Sequence, residues 1–182
     1  EPGWQGWQMV VAQHERLNEL SVMGLPVHES KNHISWLHHR LNERKGTHVV
    51  TLNAEMCMQA RENKQLRSFI ENADLVAPDG SGIELYFRLM RRRSLRRYPG
   101  IELAADLLQS LGPECKVAFS GGKPEIVNAA AQQWQQRSPH INLAIVQDGY
   151  IKGEQLDAFT RQLEQVKPDL IFVGLGVPRQ EF

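Results

Sequence analysis

From residue 48 onward, short apolar runs alternate with longer stretches of helical periodicity. A strand that leads into a helix before the next strand returns in parallel, with helices laid on both faces of the sheet. Strands are predicted at 48–53, 74–77, 116–120, 141–147 and 169–174. Helices are predicted at 54–70, 81–93, 101–111, 125–136 (with Pro124 in the first turn) and 154–166. The fold class is therefore α/β: a Rossmann-like, mostly parallel sheet whose site lies at the carboxyl ends of the strands. Asp169 to Gly174 is almost wholly apolar, which predicts a central strand.

Ahead of this pattern the periodicity is weaker. Val10, Val11, Leu17 and Leu20 fit an amphipathic helix over 7–20, so residues 1–23 are read as an N-terminal appendage and 24–182 as the α/β domain. Residues 24–27 read as a short extended piece, and 30–44 as a helix with Ile34, Leu37 and Leu41 on one face. His33, His38 and His39 on that helix lack an Asp or Cys at ligand spacing and read as surface histidines, so no metal site is expected. Trp4 and Trp7 offer apolar surface that a homo-oligomer would bury.

The polar and glycine signals fall just after strands. Asn53 follows the first, with Thr51 on the same face two residues earlier. Asp79 and Gly80 follow the second, Gly121 and Gly122 the third, Asp148, Gly149 and Tyr150 the fourth, and Gly176, Pro178, Arg179 and Gln180 the last. Parallel strands would gather all five groups along one edge. An Asp held there is a candidate general base, although Asp-Gly before a helix is also ordinary cap chemistry. A glycine turn before a helix lets backbone N–H groups approach an anion. Six arginines, Arg88, Arg91, Arg92, Arg93, Arg96 and Arg97, fall within ten positions. Their forks match phosphate oxygens, and an anionic membrane surface or a diphosphate would suit them.

Composition excludes several classes. Lys+Arg and Asp+Glu are both 21, so no global field points to nucleic acid. Cys57 and Cys115 are too few for a disulfide framework, which predicts a reducing, cytoplasmic setting. The first residues carry no signal-peptide pattern, and the longest apolar run is too short to span a bilayer.

The motifs Thr51-Leu52-Asn53, Pro78-Asp79-Gly80, Arg97-Tyr98-Pro99-Gly100, Gly121-Gly122-Lys123-Pro124, Asp148-Gly149-Tyr150 and Gly174-Leu175-Gly176-Val177-Pro178-Arg179-Gln180-Glu181 occur in the order seen in the WecG/TagA/CpsF glycosyltransferases, which the chain resembles over about residues 24–182. The resemblance implies an inverting, metal-independent enzyme without cofactor. It would move a sugar, typically N-acetylmannosamine, from a UDP-sugar donor to a polyprenyl diphosphate-linked N-acetylglucosamine acceptor in bacterial surface polymer synthesis. It implies Asp79 as base, Thr51 and Asn53 on sugar or acceptor hydroxyls, and Arg97 on a phosphate. The turns at Gly121-Gly122 and Asp148-Gly149-Tyr150 would hold the nucleotide, and Gln180 the donor. Arg179 stands where the family often has Lys, and Asp148 where His is common. Family members usually continue through a further C-terminal segment implicated in membrane attachment, which implies a peripheral protein on the inner membrane face. The alternative is a non-catalytic nucleotide-sugar or dinucleotide-binding module. An oxidoreductase domain is disfavoured by the missing GxGxxG pattern.

Overall fold

A computed structural model describes residues 17–174. The chain is α/β and divides into two compact units, Glu1–Leu103 and Ala104–Phe182. The first unit opens with an antiparallel hairpin, β1 (Asn18–Val22) and β2 (Leu25–Glu29). Residues 18–20, the end of the helix expected over 7–20, are thus strand, Leu17 before them is in no regular element, and 7–16 lie outside the described residues. The reason is a competing period-two pattern: Leu20 and Val22 face inward, and Met23-Gly24 supplies two consecutive positive φ angles, 52° and 79°. Such a pair closes a two-residue hairpin loop.

Helix α1 (His33–Asn42) follows, started by Asn32, whose Oδ1 accepts from the Ser35 N–H at 2.9 Å. Strand β3 (Val49–Leu52) leads into α2 (Ala54–Glu62) and α3 (Lys64–Glu71), where one helix over 54–70 was expected. Asn63 causes the break. Its backbone is extended (φ −104°, ψ 99°), and its Oδ1 accepts from the Leu66 N–H at 3.0 Å, ending one helix and capping the next. Strand β4 (Leu75–Pro78) pairs parallel to β3 and is buried throughout. Helix α4 (Gly80–Met90) and the loop over 91–99 lead to α5 (Gly100–Ser110).

In the second unit β5 (Lys116–Gly121) is the central strand, flanked in parallel by β6 (Asn142–Gln147) and β7 (Leu170–Gly174). Helix α6 (Pro124–Arg137) has Pro at its start, as expected, and α7 (Glu154–Val166) precedes β7. The expectation of a central last strand fails among the described residues. There β7 pairs only with β5, and Ile171 and Val173 on one of its faces are exposed, while Val117, Ala118 and Phe119 of β5 are buried.

Both units pin the amino-terminal ends of paired strands in the same way. Asp74, before β4, accepts the His48 N–H at 2.7 Å. Asp169, before β7, accepts the Lys116 N–H at 2.8 Å. The opposite, carboxyl ends are where the motifs fall.

Candidate active site

In the first unit the ends of β3 and β4 lie side by side, with Thr51 paired to Ala77 and Leu52 to Pro78. The ladder runs one step further, the Asp79 N–H donating to the Leu52 carbonyl at 2.8 Å. Asn53 caps α2, its Oδ1 accepting from the Met56 N–H at 2.9 Å. Its cap reading therefore holds. Asp79 occupies the corresponding position before α4, yet its side chain makes no cap hydrogen bond to that helix. Its Oδ2 instead accepts the Gly100 N–H, at 3.1 Å, where α5 begins. That N–H belongs to the first turn of a helix, where backbone donors have no intrahelical acceptor.

The segment that carries Gly100 is tied to the same strand end, because the Tyr98 N–H donates to the Pro78 carbonyl at 2.7 Å. Gly100 also meets Thr51 closely: a Cβ there would lie 3.0 Å from Thr51 Cγ2 and 3.1 Å from Oγ1. Gly82 brings α4 against α2 in the same manner, with a Cβ 2.7 Å from that of Ala54. Thr51, Asn53, Asp79, Gly80 and Gly100 are thus brought together, with the starts of α2, α4 and α5 around them. Arg97 is half-exposed beside α4, its Nε 4.0 Å from Glu84 Oε2.

Sequence reasoning missed the polar support under this site. His28 and His33 are buried. His33, expected at the surface, places Nε2 3.2 Å from the His28 carbonyl and its ring 5.3 Å from that of Tyr98. The Val76 N–H of β4 donates to His28 Nδ1 at 2.8 Å, so that nitrogen is unprotonated and the ring is neutral. Burial lowers the His28 pKa below its ordinary value, opposed by Glu19, whose carboxylate lies 3.6 Å from Nε2. Only the three-residue cluster Val27-His28-Glu29 hints at this in the sequence.

In the second unit the end of β5 is built from backbone. Gly121 has φ of 134°, and a Cβ on it would sit 2.4 Å from the Gly174 carbonyl oxygen, so no other residue fits. The Gly122 N–H donates to that Gly174 carbonyl at 3.0 Å, and the Gly149 N–H donates to the Gly122 carbonyl at 2.9 Å. These bonds join the ends of β5, β6 and β7. Asp148 closes its own turn, Oδ1 accepting the Tyr150 N–H at 2.8 Å while Gln147 Nε2 donates to Oδ2 at 3.1 Å. The Tyr150 side chain is exposed. Gly176, Pro178, Arg179 and Gln180 lie outside the described residues. Among the described residues, no three His, Cys, Asp or Glu side chains group as metal ligands, and no helix is long and apolar enough to cross a membrane.

The carboxylate and polar side chains at one pair of strand ends, and the glycine turns at another, lie where α/β sheets bind their ligands, outside the carboxyl ends of the strands. The family model described as "Glycosyl transferase WecG/TagA/CpsF family" matches residues 20–182, and the chain belongs to that family. Among curated relatives, a protein of Bacillus spizizenii is 30% identical over 143 residues, 78% of this chain and 55% of the relative. One of Staphylococcus aureus is 34% identical over 134 residues, 73% of this chain and 52% of the relative. Both are named N-acetylglucosaminyldiphosphoundecaprenol N-acetyl-beta-D-mannosaminyltransferase. The chain spans about half the length of these relatives.

Proposed function

We propose that this chain carries the catalytic α/β portion of an inverting glycosyltransferase. It moves N-acetylmannosamine from a UDP-sugar to N-acetylglucosamine on a polyprenyl diphosphate. The observation that carries the reading is Asp79: a carboxylate at a strand end, not used to cap its own helix, held in place by the Gly100 N–H. In the reaction the acceptor hydroxyl oxygen attacks the anomeric carbon. The bond from that carbon to the diphosphate breaks, UDP leaves with the electron pair, and the hydroxyl proton passes to Asp79.

Thr51 and Asn53 orient hydroxyls beside it. Arg97 and the helix N-termini offset the charge developing on the diphosphate, which removes the need for a metal or other cofactor. The glycine turn at Gly121-Gly122 leaves room for the nucleotide, with Tyr150 available to stack on the base. Gly149 and Asp148 shape that turn, and Gly176, Pro178, Arg179 and Gln180 act on the donor. The setting is the cytoplasmic face of the membrane, where the lipid-linked acceptor resides.

The Asp79–Gly100 hydrogen bond also favours a second reading, in which Asp79 is only a remote helix cap on a nucleotide-binding module. Asp79→Asn separates the two, since an amide oxygen still accepts from Gly100 but cannot take the proton. Calorimetry with UDP in the presence of chelator, and transfer from UDP-N-acetylmannosamine to a lipid-linked acceptor, are the measurements. UDP binding retained with transfer lost supports the transferase; transfer retained leaves Asp79 as a cap. Absence of UDP binding in the unaltered chain overturns the nucleotide reading itself.

A further inference from the structure

The outer face of α4 is apolar where a surface helix should be polar. Ile83 and Phe87 face the core. Two residues on from each, roughly 200° around the helix, stand Leu85 and Leu89, and these are 52% and 66% exposed. Met90, at the helix end, is 69% exposed. The arginine run begins on the same turn. Arg88 and Arg97 share Glu84, and Arg93 pairs with Glu29 at 2.8 Å. Among the described residues, no ion pair holds Arg91, Arg92 or Arg96, and all three are exposed. Arg92 sits at a φ of 50°, in the left-handed region that favours glycine, and keeps a charged side chain at the tip of the turn.

We propose that the end of α4 and the loop after it form a docking surface for an anionic phospholipid bilayer. The chemistry selects that partner. Leu85, Leu89 and Met90 can enter the boundary between headgroups and acyl chains, while arginine heads beside them meet lipid phosphates. The patch contains aliphatic rather than aromatic side chains, which does not suit nucleobases. It is also continuous with the candidate active site. Arg97-Tyr98-Pro99-Gly100 runs directly from the arginines to the N–H that holds Asp79, and Ile101, 82% exposed, follows it. A lipid-anchored acceptor diphosphate would lie at the depth where these groups meet the membrane. In that orientation the inference rests on the acceptor proposed above.

The test is co-sedimentation of the chain with vesicles of phosphatidylcholine, with and without phosphatidylglycerol, at low and high salt. Binding is expected to phosphatidylglycerol vesicles and to weaken with salt. Arg91→Glu with Arg96→Glu should lower partitioning by at least about tenfold, given roughly fivefold for each charge neutralised near the surface. Leu89→Ser with Met90→Ser should lower it by several-fold with the salt dependence kept. All four positions are exposed, and unchanged thermal melts check folding. UDP binding should be unaffected in both variants, so the vesicle result and the nucleotide reading fail separately. Failure of the unaltered chain to bind phosphatidylglycerol vesicles, or equal binding by the variants, overturns the proposal. So does a loss of self-association in Leu89→Ser with Met90→Ser while vesicle binding persists, because the patch then belongs to a second copy.

Discussion

The carboxyl ends of β4 and β5 are built from the same grammar, a strand, a glycine turn and a helix, yet they do different things. At β4 the turn presents a side chain. Asp79 leaves its own helix uncapped and reaches the start of α5 instead. At β5 the turn presents only backbone. Gly121 and Gly122 have no side chains, and hydrogen bonds to Gly174 and from Gly149 fix their path. The first end places a carboxylate among polar side chains. The second has no side chain at its turn, and its backbone groups tie the strand ends to one another. Function at β4 should therefore be sensitive to the chemistry of a side chain, and at β5 to the addition of any side chain.

The largest expected effect follows from the first half of that contrast. Asp79→Asn should reduce transfer by about a hundredfold to ten-thousandfold, the range for loss of a general base, with UDP affinity within about twofold of the unaltered chain. Steady-state transfer kinetics with calorimetry check both. At β5 the expected damage is structural. Gly121→Ala places a Cβ into the Gly174 carbonyl at a backbone angle only glycine tolerates. A loss of about 3 kcal/mol or more in unfolding free energy is expected, combining strain and overpacking. Urea denaturation measures it, and a change below about 1 kcal/mol would show that the turn can open.

Gly100→Ala tests whether the two modes are as separate as they look, because Gly100 is a backbone device serving a side chain. Its added Cβ would crowd Thr51, and the N–H that holds Asp79 would shift with the start of α5. A stability cost of about 1–2 kcal/mol is expected, with a fall in kcat larger than any change in KM. Equal kcat in the altered and unaltered chains would mean that Gly100 does not position the carboxylate. Asp148→Ala should do less, about 1 kcal/mol, by removing the acceptor for the Tyr150 N–H. Asp148→Asn, which keeps an acceptor, should recover most of it in the same denaturation assay.

The strands and helices from residue 48 onward were legible because an apolar run bounded by turn residues has one economical reading. The polar and glycine turns at their ends were legible as neighbours within each sheet, because parallel pairing puts the carboxyl ends of paired strands side by side. What the sequence hid were choices made by single polar side chains. Nothing in the residues after Glu62 announces that Asn63 will stop one helix and start another, because a helical pattern continues across it. The hairpin at 18–29 was obscured by apolar residues that fit helical spacing equally well until the Met23-Gly24 turn decides. That Asp79 bonds to Gly100, 21 residues away, is a tertiary fact with no local signature. The same holds for His28 of β2, whose ring nitrogen accepts the Val76 N–H of β4 from 48 residues away.

His28 should also make the two units differ in their response to pH. Val76 can donate to Nδ1 only while the ring is neutral, and burial lowers the His28 pKa from its ordinary 6.5. His48, at the pin to Asp74, is lowered too, again chiefly by burial. A group whose folded pKa lies below its unfolded one binds fewer protons in the folded state. Its contribution is complete above about 6.5 and is lost as pH falls through the folded value. The matching pin in the second unit uses Lys116 and Asp169 and carries no histidine. Amide exchange should therefore separate them. The protection factor of the Val76 N–H should fall as pH drops below about 6.5, while that of Ala118 in β5 holds steady. His28→Gln should flatten the response at Val76. A parallel decline at both amides would place the sensitivity in global unfolding and remove His28 as its source.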